Sequence, residues 1–247
     1  MLRLKLIACK ALFREFSLLT STSKNYVDAT FIRQGLHDTP EILNRTLKDE
    51  IEKIDAGSDI HSTERKLTKD YDAIILGYGL CSNGITGLSS KKYKIVAPRT
   101  DDCIALYLGS YEKYKEQHAK NEGTYWYNAS WIENAYTPSQ ENQKALYDEY
   151  VIKYGKENAE YLLESILSIK NYKRAAYVNW PELDFPEHEE YTKRAANYYG
   201  WDYEKVEGDK GFLNDLIEGK WDEKRFLVVP SKKEIAADYN GKVIDIK

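Results

Sequence analysis

The sequence has few cysteines, no excess of basic residues and no long apolar run, and each of these absences excludes a class of protein. Three cysteines among 247 residues cannot form the disulfide framework of a small secreted protein. Lys and Arg total 36 and Asp and Glu total 40, which gives a net charge of −4. A strongly basic surface is therefore not expected, and we predict no nucleic-acid partner.

No apolar run approaches the length needed to cross a bilayer, so we also predict no membrane partner. The N-terminal segment alternates apolar residues with Arg3 and Lys5. This alternation is typical of a strand and not of a secretory signal peptide. Together with the odd number of cysteines, it predicts a reducing, cytoplasmic location.

What is present is an alternation of apolar strand segments with helical segments. Strands are predicted at 2–8, 26–33, 73–76, 94–97, 175–179, 202–206 and 226–229. Helices are predicted at 11–19, from Pro40 to about Gly57, and at 104–120, 141–171 (with a break near Gly155), 187–199 and 211–217. A polar connection is predicted at 59–70 and an aromatic-rich loop, an interlobe plug or a lid, at 123–138. Such alternation is typical of parallel sheets with helices on both faces.

Because the alternation falls into two blocks, we predict an α/β fold with two Rossmann-like lobes joined by a helical segment. The first lobe is predicted at 1–135, the helical connector at 136–171 and a second, smaller lobe at 172–247. A single continuous sheet is the competing interpretation.

All three cysteines, Cys9, Cys81 and Cys103, come shortly after a predicted strand of the first lobe. Ligands of open parallel sheets bind at the carboxyl ends of the strands, so these cysteines predict one shared metal site. Zinc would accept three sulfurs plus a nitrogen or water, and a 4Fe-4S cluster on three cysteines would leave one iron open. The alternative is that the cysteines are small core residues, which suits Cys9 best.

Three further residues are candidates for catalysis. His37, which is followed by Asp38, is predicted to be a fourth metal ligand or an acid/base, or else to cap the next helix. Arg99 is suited to clamping a carboxylate or phosphate, and Asp102 lies three residues further on. The alternative for Arg99 is an ion pair with Asp101 or Asp102.

The loop between Gly77 and Gly84 is predicted to bind an anionic small molecule. It is not a standard nucleotide motif, because Ser82 stands where the third glycine of GxGxxG would be and Ile85 where a P-loop lysine would be. Gly77, Gly79 and Gly84 would let backbone N–H groups approach an anion closely. Ser82 and Asn83 would add hydrogen bonds. The alternative is a tight strand-to-helix turn.

Five phrases of the sequence resemble a domain-of-unknown-function family of methanogens, acetogens and related anaerobes. They are QGLHDTP from Gln34, LGYGLCSNG from Leu76, PRTDDC from Pro98, LGS from Leu108 and GTYW from Gly123. Genes of this family often lie near corrinoid-dependent methyltransferases. The resemblance implies an anaerobic, cytosolic setting and one-carbon metabolism, and it carries over no catalytic residue.

These observations predict a metal-dependent enzyme, a lyase or transferase, of anaerobic small-molecule or one-carbon metabolism. Its cofactor would be a 4Fe-4S cluster or Zn²⁺, and its substrate a small anionic molecule. A second hypothesis is a non-catalytic accessory protein that binds a corrinoid or a corrinoid methyltransferase component. A third is a scaffold protein in which the cysteines are core residues.

Overall fold

The computed structural model describes residues 1–58, 70–166 and 171–247. Residues 59–69 of the predicted polar connection at 59–70 and part of the predicted helix at 141–171 lie outside the described residues. The chain divides into two compact units. Unit 1 comprises Met1–Lys113 and Asp209–Lys247, and unit 2 comprises Tyr114–Gly208. The C-terminal segment of the chain thus belongs to unit 1, and the division at 135 and 171 stays a prediction.

Unit 1 is built on a five-stranded sheet, here called sheet A. Its strands are β1 (Arg3–Cys9), β2 (Tyr26–Ile32), β3 (Ala73–Gly77), β4 (Ile95–Pro98) and β8 (Phe226–Val229). They lie in the order β2-β1-β3-β4-β8. The first four strands are parallel to one another, which confirms a mixed α/β fold with a mostly parallel sheet.

The prediction of wholly parallel sheets is wrong at one edge. β8 pairs with β4 in the antiparallel direction, and β9 (Ile235–Asp238) and β10 (Val243–Ile246) form an antiparallel hairpin that was not predicted. A short apolar run specifies a buried strand but not its direction, so sequence pattern alone could not separate these arrangements.

Helices cover both faces of sheet A. α2 (Pro40–Ala56) buries Leu43, Leu47, Ile51 and Ile54 against one face, together with apolar residues of the β9–β10 hairpin. This helix is confirmed as predicted: Pro40 stands in its first turn and Gly57 ends it at φ 67°. α1 (Phe13–Thr22) places Phe16 over Gly77 on the opposite face, where it packs against α9 (Gly211–Glu218).

Two helices lie where the sequence predicts a single helix at 104–120. The first belongs to unit 1, and the second runs from the end of this part of unit 1 into unit 2. α3 (Ile104–Leu108) ends at Gly109, whose φ of 87° is left-handed, and α4 (Tyr111–Lys120) follows. A glycine at that position stops the first helix even though the apolar spacing continues.

Unit 2 has a three-stranded parallel sheet, here called sheet B, with β6 in the centre. Its strands are β5 (Thr124–Tyr127), β6 (Arg174–Asn179) and β7 (Asp202–Glu207). Its helices are α5 (Ala129–Asn134), α6 (Gln140–Tyr154), α7 (Lys156–Ile166) and α8 (Pro186–Tyr199). The region predicted as a loop at 123–138 therefore contains β5 and α5. The core of unit 2 is aromatic and includes Tyr127, Tyr177 and Trp201.

Candidate functional site

The structure brings the three cysteines together at the carboxyl edge of sheet A. β1, β3 and β4 are adjacent parallel strands. Cys9 is the last residue of β1, and Cys81 and Cys103 lie in the loops that follow β3 and β4. Cys9 and Cys81 both pack against the same apolar core cluster. The sequence predicts one shared location for the three cysteines, and that prediction depends on β1, β3 and β4 being neighbouring strands.

Burial raises the pKa of every thiol in this group, which we call the cysteine cluster. It raises the pKa of Cys9 to about 11. Burial, followed by the charges of Cys9 and Asp102, raises the pKa of Cys81 to about 12. The pKa of Cys103 is raised by burial and then by Cys81, Asp102 and Cys9. At neutral pH the three cysteines therefore keep their thiol protons.

The cluster does not have the geometry of a closed metal site. Within 1–58, 70–166 and 171–247, no three His, Cys, Asp or Glu side chains form a group arranged to hold a metal ion. The three cysteines are free and half-buried. Binding a metal at these cysteines would require a rearrangement of the cluster and loss of the thiol protons.

Tyr78 is a residue of this site that the sequence interpretation missed. It follows β3 directly, its side chain is 3% exposed, and it packs in the same apolar cluster as Leu76 and Ile85. Its hydroxyl is buried without a hydrogen-bond partner among the described residues. Burial raises the pKa of the Tyr78 hydroxyl well above its usual value, and the neighbouring Cys9, Cys81 and Cys103 raise this pKa further. Sequence spacing gives no signal that a tyrosine hydroxyl is unpaired.

The loop after β3 has an unusual backbone. Cys81, Ser82 and Asn83 have φ values of 48°, 56° and 68°, so three consecutive residues with side chains lie in the left-handed region. Such residues cost of order 1–3 kcal/mol each and cluster at functional sites. The N–H of Gly84 donates to the carbonyl of Cys81 at 3.0 Å and closes the turn.

The loops after β3 and β4 are held directly against each other. The N–H of Leu80 donates to the Thr100 carbonyl and that of Cys81 to the Asp101 carbonyl, both at 2.8 Å. A Cβ atom at Gly79 would lie 2.7 Å from the backbone of Asp102. Gly79 is therefore required by this close approach, and the approach brings Cys81 towards Cys103.

The far end of the same loop is fixed to α2. The side-chain amide of Asn44 donates to the carbonyls of Gly84 and Thr86 at 3.0 and 2.7 Å. A Cβ at Gly84 would collide with the Leu43 side chain. Ser82 and Asn83 remain exposed and line a surface groove along the first turns of α2. The loop is a packed turn whose tip is open to solvent.

His37 lies on the turn after β2, at the same edge of sheet A. That turn spans Leu36–Asp38 and leads into α2. The His37 side chain is 43% exposed, and its Nε2 atom is 3.3 Å from Oδ1 of Asp38. The ring therefore faces a neighbouring carboxylate.

Arg99 and Asp102 have structural partners. The Arg99 guanidinium donates to backbone carbonyls: Nε to Glu223 at 2.9 Å, and Nη1 to Lys242 at 3.3 Å and to Ile244. It thus fastens the end of β4 to the C-terminal segment. Oδ1 of Asp102 accepts the N–H of Ile104 at 2.8 Å. Its negative charge raises the pKa of Cys81 and Cys103.

Comparison with known proteins identifies one family. The family model described as "Protein of unknown function (DUF1638)" matches residues 31–217, which is more than half of the chain. No curated protein and no solved structure matches the chain. None of the helices in the described parts of the chain combines the length and apolar character needed to span a bilayer.

Proposed function

The chain belongs to the DUF1638 family of proteins of unknown function, and we propose that it is a metal-dependent enzyme whose metal is bound by Cys9, Cys81 and Cys103. The observation that carries the proposal is the convergence of these three cysteines, from three separate loops, at the carboxyl edge of sheet A. This edge is where α/β proteins bind their ligands. The metal would be Zn²⁺ or a 4Fe-4S cluster with one open position for a substrate.

The electrostatics of the cluster support a cationic occupant. Burial, followed by the charges of neighbouring cysteines and of Asp102, raises the pKa of Cys81 and of Cys103 and so opposes their thiolate form. A bound cation would reverse this balance, because metal coordination deprotonates a thiol. Backbone N–H groups favour the thiolate at all three positions: that of Ala11 at Cys9, that of Gly79 at Cys81 and that of Cys103 at its own sulfur.

The remaining residues have distinct roles in this proposal. His37, at the same sheet edge, would be a fourth ligand or an acid/base, oriented by Asp38. A small anionic substrate would approach at the exposed tip of the loop, near Ser82 and Asn83. Arg99 would support the site indirectly, because its guanidinium is engaged by backbone carbonyls. Asp102 would place a negative charge near the cysteine ligands. Its carboxylate would also accept a hydrogen bond from the first turn of α3.

The metabolic setting is also part of the proposal. The resemblance implies an anaerobic cytosol and corrinoid-dependent methyl transfer, so we propose a lyase or transferase of one-carbon or small-molecule metabolism. The accessory-protein hypothesis places the same chain beside a corrinoid or a methyltransferase component without a reaction of its own. The experiment below separates the two.

The test is the metal content and absorption spectrum of protein purified without oxygen. We expect one Zn²⁺ or one 4Fe-4S cluster per chain in the wild type; a brown colour identifies the cluster and a colourless zinc protein the ion. Cys9→Ser, Cys81→Ser and Cys103→Ser should each lose most of the metal. Ser82→Ala, a substitution in the same loop as Cys81, is the control and should keep it.

Two results would overturn the proposal. One is substoichiometric metal in the wild type, both as purified and after addition of Zn²⁺ or of iron and sulfide. The other is full metal retention in the cysteine variants. Binding of cobalamin to the metal-free wild type would instead support the accessory hypothesis.

A further inference from the structure

The small anionic substrate of the proposed function needs a cationic partner at the carboxyl edge of sheet A. Arg99, the arginine that the sequence suggests for this role, donates to the carbonyls of Glu223 and Lys242 and thus holds the fold together. Two other cations lie at the same edge. Lys10 directly follows β1, and Arg33 directly follows β2. These two residues are therefore candidates to hold an anionic group.

The strand register places Lys10 and Arg33 side by side. β1 and β2 are parallel neighbours, and Cys9 pairs with Ile32 where the two strands end. The next residue of each strand is a cation, so the two positive charges follow adjacent strands that lie about 4.8 Å apart. Like charges at such spacing repel each other, and an anion bound between them would replace this repulsion with attraction.

No described carboxylate neutralises this pair of cations. Both side chains are exposed, and neither has an ion pair or a side-chain hydrogen bond among the described residues. Asp38, on the turn after β2, places its Oδ1 atom 3.3 Å from Nε2 of His37. Asp101 and Asp102 follow β4, and β3 lies between β4 and β1. The β1–β2 end of the edge is therefore the part with uncompensated positive charge.

A helical segment begins at the same place. The short helical turn Lys10–Leu12 follows β1 directly and leads into α1 (Phe13–Thr22). The N-terminal end of a helix carries a partial positive charge and N–H groups without helical partners, and both favour an anion. The β1–β2 end of the edge therefore combines two cationic side chains with the positive end of a helix.

We propose that Lys10 and Arg33 bind a phosphate-type dianion at the carboxyl ends of β1 and β2. The planar guanidinium of Arg33 bonds two oxygen atoms at once, and the ammonium group of Lys10 adds a compact point charge. Two cations match the two negative charges of the ligand. The inference deepens the proposed function by assigning the residues that hold its anionic substrate. It rests on that function for this link alone, because neither residue binds the metal.

The test is calorimetric titration of the metal-free full-length chain with inorganic phosphate, at about pH 8 and low salt. Lys10→Gln and Arg33→Gln should each weaken phosphate binding about tenfold, since each removes a charge-assisted hydrogen bond. Succinate, whose two charges lie far apart, and acetate, which has one charge, should bind more weakly than phosphate.

Lys24→Gln is the matched control. Lys24 is exposed, has no ion pair among the described residues and precedes β2, so it lies at the opposite edge of sheet A. The substitution makes the same change of charge and should leave phosphate affinity within about twofold of the wild type. Phosphate should also raise the unfolding temperature of the wild type and of Lys24→Gln, but not that of the double variant Lys10→Gln/Arg33→Gln.

Three results would overturn the inference. They are no phosphate binding by the wild type, unchanged phosphate affinity in the double variant, and succinate binding as tight as that of phosphate. The metal analysis of the proposed function is independent of this titration. Metal uptake by a wild type that binds no phosphate would overturn this inference alone, and phosphate binding by a chain that takes up no metal would overturn the proposed function alone.

Discussion

Sheet A and sheet B both contain parallel strands, yet the residues at their carboxyl edges serve different purposes. In sheet B, Asn128 after β5 caps α5 by accepting the N–H of Trp131 at 2.7 Å. The edge of sheet A holds three thiols with raised pKa values and a left-handed backbone segment. Each edge also keeps a buried polar atom that has no partner among the described residues, the Tyr78 hydroxyl at sheet A and Asn179 Oδ1 at sheet B. The thiols and the left-handed segment are therefore what distinguish the edge of sheet A.

The treatment of tyrosine differs in the same way. Unit 2 has an aromatic core in which Tyr125 and Tyr199 stack on Trp201. The hydroxyls of Tyr127, Tyr191, Tyr199 and Tyr203 in this unit all have hydrogen-bond partners. The core of unit 1 around Tyr78 is mainly aliphatic. A high tyrosine content therefore does not by itself explain why the Tyr78 hydroxyl has no partner among the described residues.

Gly79→Ala should have the largest effect on stability and metal uptake. Gly79 lies where the loops after β3 and β4 approach each other most closely. Its Cβ would lie 2.7 Å from the Asp102 backbone, so the loops carrying Cys81 and Cys103 must separate. We expect a loss of about 1–3 kcal/mol in stability and loss of most of the metal uptake. Urea denaturation and metal analysis measure the two effects.

Gly200→Ala is the control in unit 2. Gly200 ends α8 at φ 69° and has open space around its Cα atom. This substitution should cost about 1–2 kcal/mol through backbone strain and leave metal uptake intact. Equal metal uptake by Gly79→Ala and the wild type would show that the loop contact does not position the thiols.

Tyr127→Phe should have an intermediate effect on the free energy of unfolding. The Tyr127 hydroxyl is buried in unit 2 and donates to the Pro138 carbonyl at 2.8 Å. Its removal should cost about 1 kcal/mol, measured by urea denaturation of the metal-free protein. Tyr78→Phe should cost nothing in the same measurement, because its hydroxyl has no hydrogen-bond partner in the parts of the chain that the structure describes. Equal costs for the two substitutions would break the contrast between the units.

Glu189→Gln should give the smallest effect, confined to the surface of unit 2. Oε2 of Glu189 accepts Nζ of Lys205 at 2.6 Å, and Oε1 is 3.0 Å from Nζ of Lys193. The two lysines lower the pKa of Glu189 from 4.5 to about 2. The carboxylate therefore stabilises the fold above pH 4.5, and this contribution is lost as the pH falls towards 2.

We expect Glu189→Gln to cost less than about 1 kcal/mol at pH 7 and the difference to vanish near pH 2. Denaturation curves across this pH range provide the measurement. Glu190→Gln, a change of the neighbouring, more exposed carboxylate, should have less effect at every pH. A Glu189→Gln deficit that persists at pH 2 would assign the cost to packing and not to charge.

Short-range sequence patterns, such as apolar runs and the residues that begin and end a helix, made the strands and helices around the cysteine cluster predictable. The apolar run 73–76 and the Pro40-to-Gly57 pattern lie where the structure has β3 and α2. The strand TYWY at 124–127 was missed because aromatic residues suit a loop, a lid or a short strand equally well. The β9–β10 hairpin was missed because its strands, IAAD and VIDI, each contain an aspartate and so lack the continuous apolar run that marks β8, FLVV.

Long-range contacts account for what the sequence could not predict at the site. The position of each cysteine after a strand is a local property, and the adjacency of β1, β3 and β4 follows from the sheet. The carbonyl partners of Arg99 lie more than 120 residues away in the chain, so no local pattern indicates them. The unpaired state of Tyr78 likewise depends on the packing of several strands at once.

X-ray absorption at the zinc edge of Zn²⁺-loaded, anaerobically prepared protein tests the central claim most directly. The account predicts three sulfur neighbours per zinc at about 2.3 Å, and loss of one sulfur or of the zinc in each single Cys→Ser variant. Coordination by nitrogen and oxygen alone, or a spectrum that does not change when the cysteines are replaced, would contradict a shared three-cysteine site.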